Sequence, residues 1–521
     1  MNLHRILALV VTLSAIALGL VASRASSTPQ SSLANDSSAH SKSAIVAQNE
    51  FDATLAHDID QLIDADSGKA RWGVFVMSVK DNRVLYSHDG DKLFTPASNM
   101  KIYTTAIALD LLGPEYRWRT SVYASKPLDA DGSVDGDLIL YGRGAPDLDS
   151  KKPESLPALA DQLRQRGVRR VRGRIIGDES YFRGEQYGIG WQWNDLQWYY
   201  GAQPSALSID ENSVEVTLGP GNKASGPASA VVTPNDGDLR LTNNATTVER
   251  DAATTVGIKR GLSNNDVLVW GEFPIGGHAY SAFLSVHNPA LRAATTFKRL
   301  LSARGIQVDG DVESRDFRVA ESARFDPQKG IELASVESAT LADIVRKTNK
   351  QSNNLYAELI LRTLGKEKGV TVPDSDPRKN AARGDDEAGV AIVKKWLSDH
   401  HVDVTALSIL DGCGLSRLDL ITPESAAQLL AVAAQASWHQ SFHDSLPIAA
   451  HDGTLQGRLT NVGGRIAAKT GSLTYVHSLS GYATTASGEV LVFSIICNDA
   501  TGQARPLRTI DAIASRITAN R

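Results

Sequence analysis

Ser98 and Lys101 stand three residues apart at the start of an apolar segment, Ile102 to Leu112. That spacing puts two side chains on one face of a helix. Their types suit acyl transfer. A serine hydroxyl is a weak nucleophile until a neighbouring base takes its proton. A lysine ammonium becomes such a base when burial or a nearby cation disfavours its charge. A helix N-terminus under Ser98 adds backbone N–H groups that favour developing negative charge. Ser-x-x-Lys occurs once in the 521 residues. Taken singly, it is also the pattern of a capping serine followed by a surface lysine.

Two further groups complement it. Lys469-Thr470-Gly471-Ser472 continues a strand-like run and precedes another. There Lys469 and Thr470 offer a charge and a hydroxyl to a terminal carboxylate. Gly471 would let a substrate backbone come close, and an extended peptide can add along a strand edge. Ser-x-Asn occurs as Ser263-Asn264-Asn265 and as Ser352-Asn353-Asn354. The first reads as a turn between β-like runs. The second interrupts the helical stretch Leu341 to Leu364, a conflict of local propensity of the kind that marks functional sites. Ser352 and Asn354 are therefore the preferred pair.

The elements that must hold these groups follow from periodicity. Phe51, Leu55, Ile59, Leu62 and Ile63 have helical spacing. Trp72–Val79 and Arg83–Ser87 alternate around a polar turn and predict a hairpin. Thr95-Pro96 opens the helix that carries Ser98, and Gly113-Pro114 closes it. From about 120 to 330 the texture is β-like: Leu138–Gly142, Val171–Gly177, Val214–Leu218, Leu239–Thr242 and Val267–Trp270, then one helix over Asn288–Arg304. Strands return at Ile466–Ser472, Ser478–Thr484 and Val490–Ile496.

The order Ser-x-x-Lys, Ser-x-Asn, Lys-Thr-Gly is that of penicillin-binding proteins. The chain resembles the low-molecular-mass class C members, the D-alanyl-D-alanine carboxypeptidase/endopeptidase family (peptidase family S13, DacB-like), over residues 50–520. Other stretches carry the likeness: Gly136-Asp137-Leu138, Gly142-Arg143-Gly144, Trp193-Asn194-Asp195-Leu196, Tyr200-Gly201-Ala202, Ser205-Ala206-Leu207, Asp411-Gly412-Cys413-Gly414-Leu415-Ser416-Arg417 and His451-Asp452-Gly453-Thr454-Leu455. Cys413 stands where the family commonly has serine.

The resemblance implies an α+β fold: a penicillin-binding/β-lactamase-like transpeptidase domain, an antiparallel sheet flanked by helices, split by a large β-rich insert. The expected division is residues 1–25 signal peptide, 26–48 flexible linker, 49–119 and 332–521 the two parts of the penicillin-binding domain, and 120–331 the insert of two nested domains. It also implies roles. Ser98 attacks the carbonyl of a peptidoglycan stem peptide or cross-link, and Lys101 is the base. Ser352 relays a proton to the leaving amine with help from Lys469, and Asn354 holds the substrate amide. Thr470, Gly471 and Ser472 bind substrate, with the N–H groups of Ser98 and Ser472 as oxyanion donors. Asp195, Trp198, Tyr200 and Arg417 match a subsite for the free D-centre of a diaminopimelate side chain. β-Lactams would acylate Ser98 in the same way. The rival readings are a β-lactamase and a catalytically idle β-lactam sensor.

Bulk properties narrow the rest. The composition, 42% hydrophobic and 22% charged, is globular. A net charge of -5 with no basic stretch points away from nucleic acid. Met1–Arg5, the apolar run Ile6–Ala22 and the small residues after it have the order of a secretory signal, so an exported enzyme of the periplasm or cell envelope is expected. Peripheral membrane association and homo-oligomer formation are left open. Cys413 and Cys497, the only cysteines, are candidates for a bridge in an exported chain. The 12 histidines are scattered, and His443, His451 and His477 lack ligand-type spacing, so neither metal nor cofactor is expected.

Overall fold

The computed structural model describes residues 53–519, apart from 67–68, 235–236, 238, 320–323, 374, 379–380 and 503. The signal peptide and linker assigned to residues 1–48 lie outside the described residues.

A five-stranded antiparallel sheet is built from both ends of the described chain. Its strands are β1 (Arg71–Ser78), β2 (Val84–His88), β3 (Ile466–Leu473), β4 (Val476–Thr484) and β5 (Val490–Asn498), in the order β3-β4-β5-β1-β2. β1 pairs β5 along its length, from Arg71 opposite Asn498 to Ser78 opposite Leu491. Seven of the eight residues of β1 are buried, so it reads as an unbroken apolar run instead of an alternating one, as expected of a strand covered on both faces.

The helix Met100–Leu112 is buried from Met100 to Leu109. A helix that is apolar all round belongs in a core, and this one lies within a cluster with Tyr356, Ile360, Leu397 and Leu430 from the helices that follow. Gly113 ends it with a φ of 86°, a conformation glycine adopts without steric cost. The stretch from Leu341 is two helices, Leu341–Lys350 and Asn354–Lys368, broken at the polar patch.

Between these parts runs a second five-stranded sheet. Its strands, in order, are Val312–Arg315, Ile175–Asp178, Leu138–Tyr141, Arg119–Ala124 and Ile331–Glu337. The helices Leu156–Gln165 and Pro289–Ala303 share its core. Three small sheets over Ser213–Ser285 have a core of their own. The Leu156–Gln165 helix departs from the β-like expectation. So does Val171–Gly177, which splits into Arg170–Val171 and Ile175–Asp178. The break falls at Gly173, where a Cβ would lie 2.4 Å from the backbone of Gly136.

The Cys413–Cys497 bridge does not form. Both thiols are free and buried, Cys413 in a loop beside Ala357 and Leu415, Cys497 within β5. No helix among the described residues is long and apolar enough to cross a membrane.

Candidate active site

Ser98 sits in a single 3-10 turn, Ala97–Asn99, that leads into the Met100 helix. Asn99 anchors the turn: fully buried, it donates to Ser480 Oγ on β4 at 2.7 Å. Two glycines let other segments close on it. A Cβ on Gly414 would lie 1.8 Å from Ala97 O, and one on Gly471 would lie 2.8 Å from Pro96 O and 3.1 Å from Ser98 N. Gly471 thus admits the nucleophile turn against β3.

Lys101 is fully buried one turn below Ser98. Its Nζ donates to Ser98 Oγ at 3.0 Å, Asn354 Oδ1 at 2.6 Å and Cys413 O at 2.8 Å. Burial lowers its pKa, against the opposing pull of Cys413, Asp411 and Glu358. Lys469 is also fully buried, and donates to Ser352 Oγ at 2.9 Å and Thr470 O at 2.7 Å. Burial, helped by the charge of Lys101, holds it well below the ordinary lysine range.

Ser352 occupies the break between the two helices with a left-handed φ of 58°. Asn353 caps the second helix, accepting from Tyr356 N at 3.1 Å. Asn354 spends its Oδ1 on Lys101 and one amide N–H on Tyr200 O at 2.8 Å. It therefore positions the lysine, with one N–H left for a substrate amide.

Ser98, Ser352 and Asn354 border one cleft of about 550 Å³ that also takes in Thr470, Ser472, Asp195, Tyr200 and Arg417. Thr470 Oγ1 lies 2.6 Å from Thr454 Oγ1. Asp195 accepts from Tyr200 at 3.4 Å, and Arg417 donates to Thr474 O at 2.9 Å. Burial raises Asp195, while Tyr200 and Arg417 oppose it. Burial and Asp195 push the Tyr200 phenol up to about 12. Trp198 is the exception. It packs on the core of the small sheets, bridging Leu284 through its backbone, and does not line the cleft.

Sequence reasoning gave no role to the loop that presents Cys413 O to Lys101. The loop wraps around Asp411, whose Oδ1 accepts from Cys413 N and Gly414 N, and whose Oδ2 accepts from Ser416 N and Trp191 Nε1, all within 3.0 Å. Glu358 accepts from Gly412 N at 2.8 Å, and burial pushes its carboxyl up to about 8. Glu358, Asp411 and Cys413 bring ligand-type atoms within 4.8 Å of one another. With four N–H groups on Asp411, this trio reads as a loop anchor. The available signal was a charged residue on the apolar face of a helix, Glu358 among Leu355, Leu359 and Leu361.

The profile of the D-Ala-D-Ala carboxypeptidase 3 (S13) family matches residues 55–520. The chain belongs to that family. It is a serine-type D-Ala-D-Ala carboxypeptidase/endopeptidase, a hydrolase, as the resemblance implies. A D-alanyl-D-alanine carboxypeptidase of Actinomadura sp. (strain R39) is 35% identical over 477 residues, 89% of this chain and 84% of the relative. The S13 relative D-alanyl-D-alanine carboxypeptidase DacB of Haemophilus influenzae is 27% identical over 430 residues, 81% of this chain and 84% of its own. The crystal structure of penicillin binding protein 4 (dacB) from Haemophilus influenzae superposes with a TM-score of 0.75 at 25% identity, covering 88% of this chain and 98% of that one. The expected α+β fold is borne out.

Proposed function

We propose that Ser98 is the acylated nucleophile and that Lys101, in its neutral form, takes the Ser98 proton as Oγ attacks the carbonyl of the penultimate D-Ala. The carbonyl oxygen would then be held by the N–H groups of Ser98 and Ser472, each such donor contributing about 3–4 kcal/mol. Ser352 passes its proton to the departing amine and is made whole by the proton that Lys101 took from Ser98, with Lys469 held against the Ser352 oxygen, and water releases the acyl-enzyme. Thr470 and Ser472, joined by Thr454 on the same wall, receive the terminal carboxylate. Asp195 and Arg417 receive the ammonium and carboxylate of a diaminopimelate side chain, with Tyr200 orienting Asp195. No step in this sequence calls on a metal or cofactor.

One observation carries the reading: two buried lysines, each within 3.0 Å of a serine hydroxyl on the same cleft. The lowered pKa of Lys101 favours the neutral amine beside the Ser98 hydroxyl, which the full charge of a surface lysine would not.

The substrates are peptidoglycan stem peptides and their cross-links, and penicillins acylate the same serine. The penicillin-binding name of the Haemophilus structure supports the latter. The secretory-signal order of residues 1–25 supports an envelope location. The penicillin-binding domain is formed by 49–119 and 332–521, with 120–331 as the insert.

Intact mass after incubation with benzylpenicillin tests this, with Ser98→Ala in parallel. A single adduct on the wild type, absent from the variant, is expected. Intact antibiotic and no adduct would sink the acyl-enzyme and favour an idle sensor. Consumed antibiotic with no adduct would instead identify a β-lactamase.

A further inference from the structure

Three consecutive residues of the insert, Asp210, Glu211 and Asn212, have left-handed backbone, with φ of 49°, 56° and 50°. None is glycine. L-residues adopt this conformation singly and at a cost, and it persists where the surroundings over-determine it. Both flanking residues are pinned. Asp210 pairs with the buried guanidinium of Arg292 at 2.9 Å and accepts from Ser150 Oγ at 2.8 Å. Asn212, fully buried, donates to Gln203 O at 2.9 Å and Ser208 Oγ at 2.8 Å. Glu211, between them, reaches out of the insert. Its carboxylate meets Lys347 Nζ at 2.5 Å and accepts from Asn353 Nδ2 at 2.8 Å.

Asn353 is the middle residue of Ser352-Asn353-Asn354, and its Oδ1 caps the helix that Asn354 begins. Lys347 lies on the preceding helix and donates to Tyr356 Oη at 2.9 Å on the following one. One carboxylate therefore ties together the two helices that meet at the catalytic turn, and Ser352 within that turn is itself left-handed.

We propose that Glu211 is a positioning residue for the Ser-x-Asn turn. The insert holds it in a strained backbone so that its two oxygens fix Asn353 and Lys347. That in turn aims Ser352 at Lys469 and Asn354 at Lys101. The insert then completes the catalytic floor in addition to shaping the cleft. This deepens the proposed acyl-enzyme reading and rests on it.

The test is stopped-flow acylation by benzylpenicillin, which separates non-covalent binding from the covalent step. Glu211→Ala should slow the covalent step at least ten-fold and change the dissociation constant less than three-fold. A merely structural role would move both. Glu211→Gln keeps an acceptor for Asn353 but loses the charge on Lys347, and should fall between. It carries the test if the alanine variant fails to accumulate. Glu211→Ala should cost less in an Asn353→Ala background, because contacting residues couple. A wild-type covalent rate in Glu211→Ala, a loss confined to binding, or strict additivity with Asn353→Ala would overturn the proposal. Failure of the wild type to acylate would instead overturn the Ser98 reading, so the two outcomes are distinct.

Discussion

On the floor of the cleft Lys101 and Lys469 are fully buried, and their Nζ atoms make three and two hydrogen bonds. At its rim Asp195 and Arg417 are half-buried, and one hydrogen bond each links them to Tyr200 and Thr474. Protein oxygens surround the floor lysines, whereas the rim charges keep room for a ligand. The difference separates two tasks. The floor must act alike on every acyl donor, so its geometry is locked by the fold. The rim meets only the variable part of the substrate, so its partners are left for the substrate to complete.

The largest expected effect is on the floor. Lys101→Met keeps the buried volume and removes the amine. It should lower the second-order acylation rate by about 10³-fold or more, within the range of a lost general base, as read by fluorescent-penicillin labelling. Lys469→Met should cost about 10²-fold, because Ser352 loses its hydrogen-bond partner but Ser98 keeps its base. If the two losses were equal, the division of labour between the lysines would be wrong.

The rim should respond selectively. Asp195→Asn and Arg417→Ala should reduce kcat/KM about 10- to 100-fold for peptides bearing a free ammonium–carboxylate centre, the worth of a charge-assisted contact. Peptides without that centre should lose far less. Equal losses on both would show that the rim shapes the floor instead of reading the side chain.

A pH profile sharpens the contrast further. Lys101 must be neutral to accept a proton, and its pKa is lowered from the ordinary 10.5. Acylation should therefore rise with pH and level off below pH 10.5, and the limb should vanish in Lys101→Met. The smallest effect is on stability. The native state binds a proton at Glu358 more tightly than the unfolded chain does, because the carboxyl is raised from 4.5 to about 8. That contribution is full below pH 4.5 and is lost as pH rises through 8. Glu358→Gln mimics the protonated form, so its Tm relative to wild type should climb by a few degrees between pH 6 and pH 9.

The parts of the site that were legible in the sequence are those written contiguously. Ser98 with Lys101, and Ser352 with Asn354, are each fixed by one turn of backbone. Lys469 and Thr470 are fixed by one strand. Their order alone brings them to one cleft. What escaped depends on segments far apart in the chain. Trp198 was grouped with Asp195 and Tyr200 by proximity, but its ring is claimed by the core of the small sheets. The strand position of Gly471 suggests substrate approach, and only the packed structure shows that its missing side chain also makes room for Pro96 and Ser98. Glu211 sits in a run of left-handed residues that no propensity signals. The Leu156–Gln165 helix does show helical spacing, at Leu156, Leu159, Ala160 and Leu163, a signal masked by the β-like runs on either side.

The pairing of β1 with β5 has a consequence for how the molecule assembles. β1 is made long before β5 and must wait, with an open edge, until β5 follows. Contacts of such long range fold slowly, and an unpaired apolar strand is prone to wrong partners in the meantime. The insert eases this. Arg119 and Glu337 face each other where the strands entering and leaving it pair, so an insert that folds first draws those strands together and replaces a long floppy loop with a short tether. The entropy of closing that loop is then met before β1 needs its neighbour. The catalytic serine is made long before Lys469 and stays without that partner until β3 arrives. Activity is thus timed by the arrival of that strand.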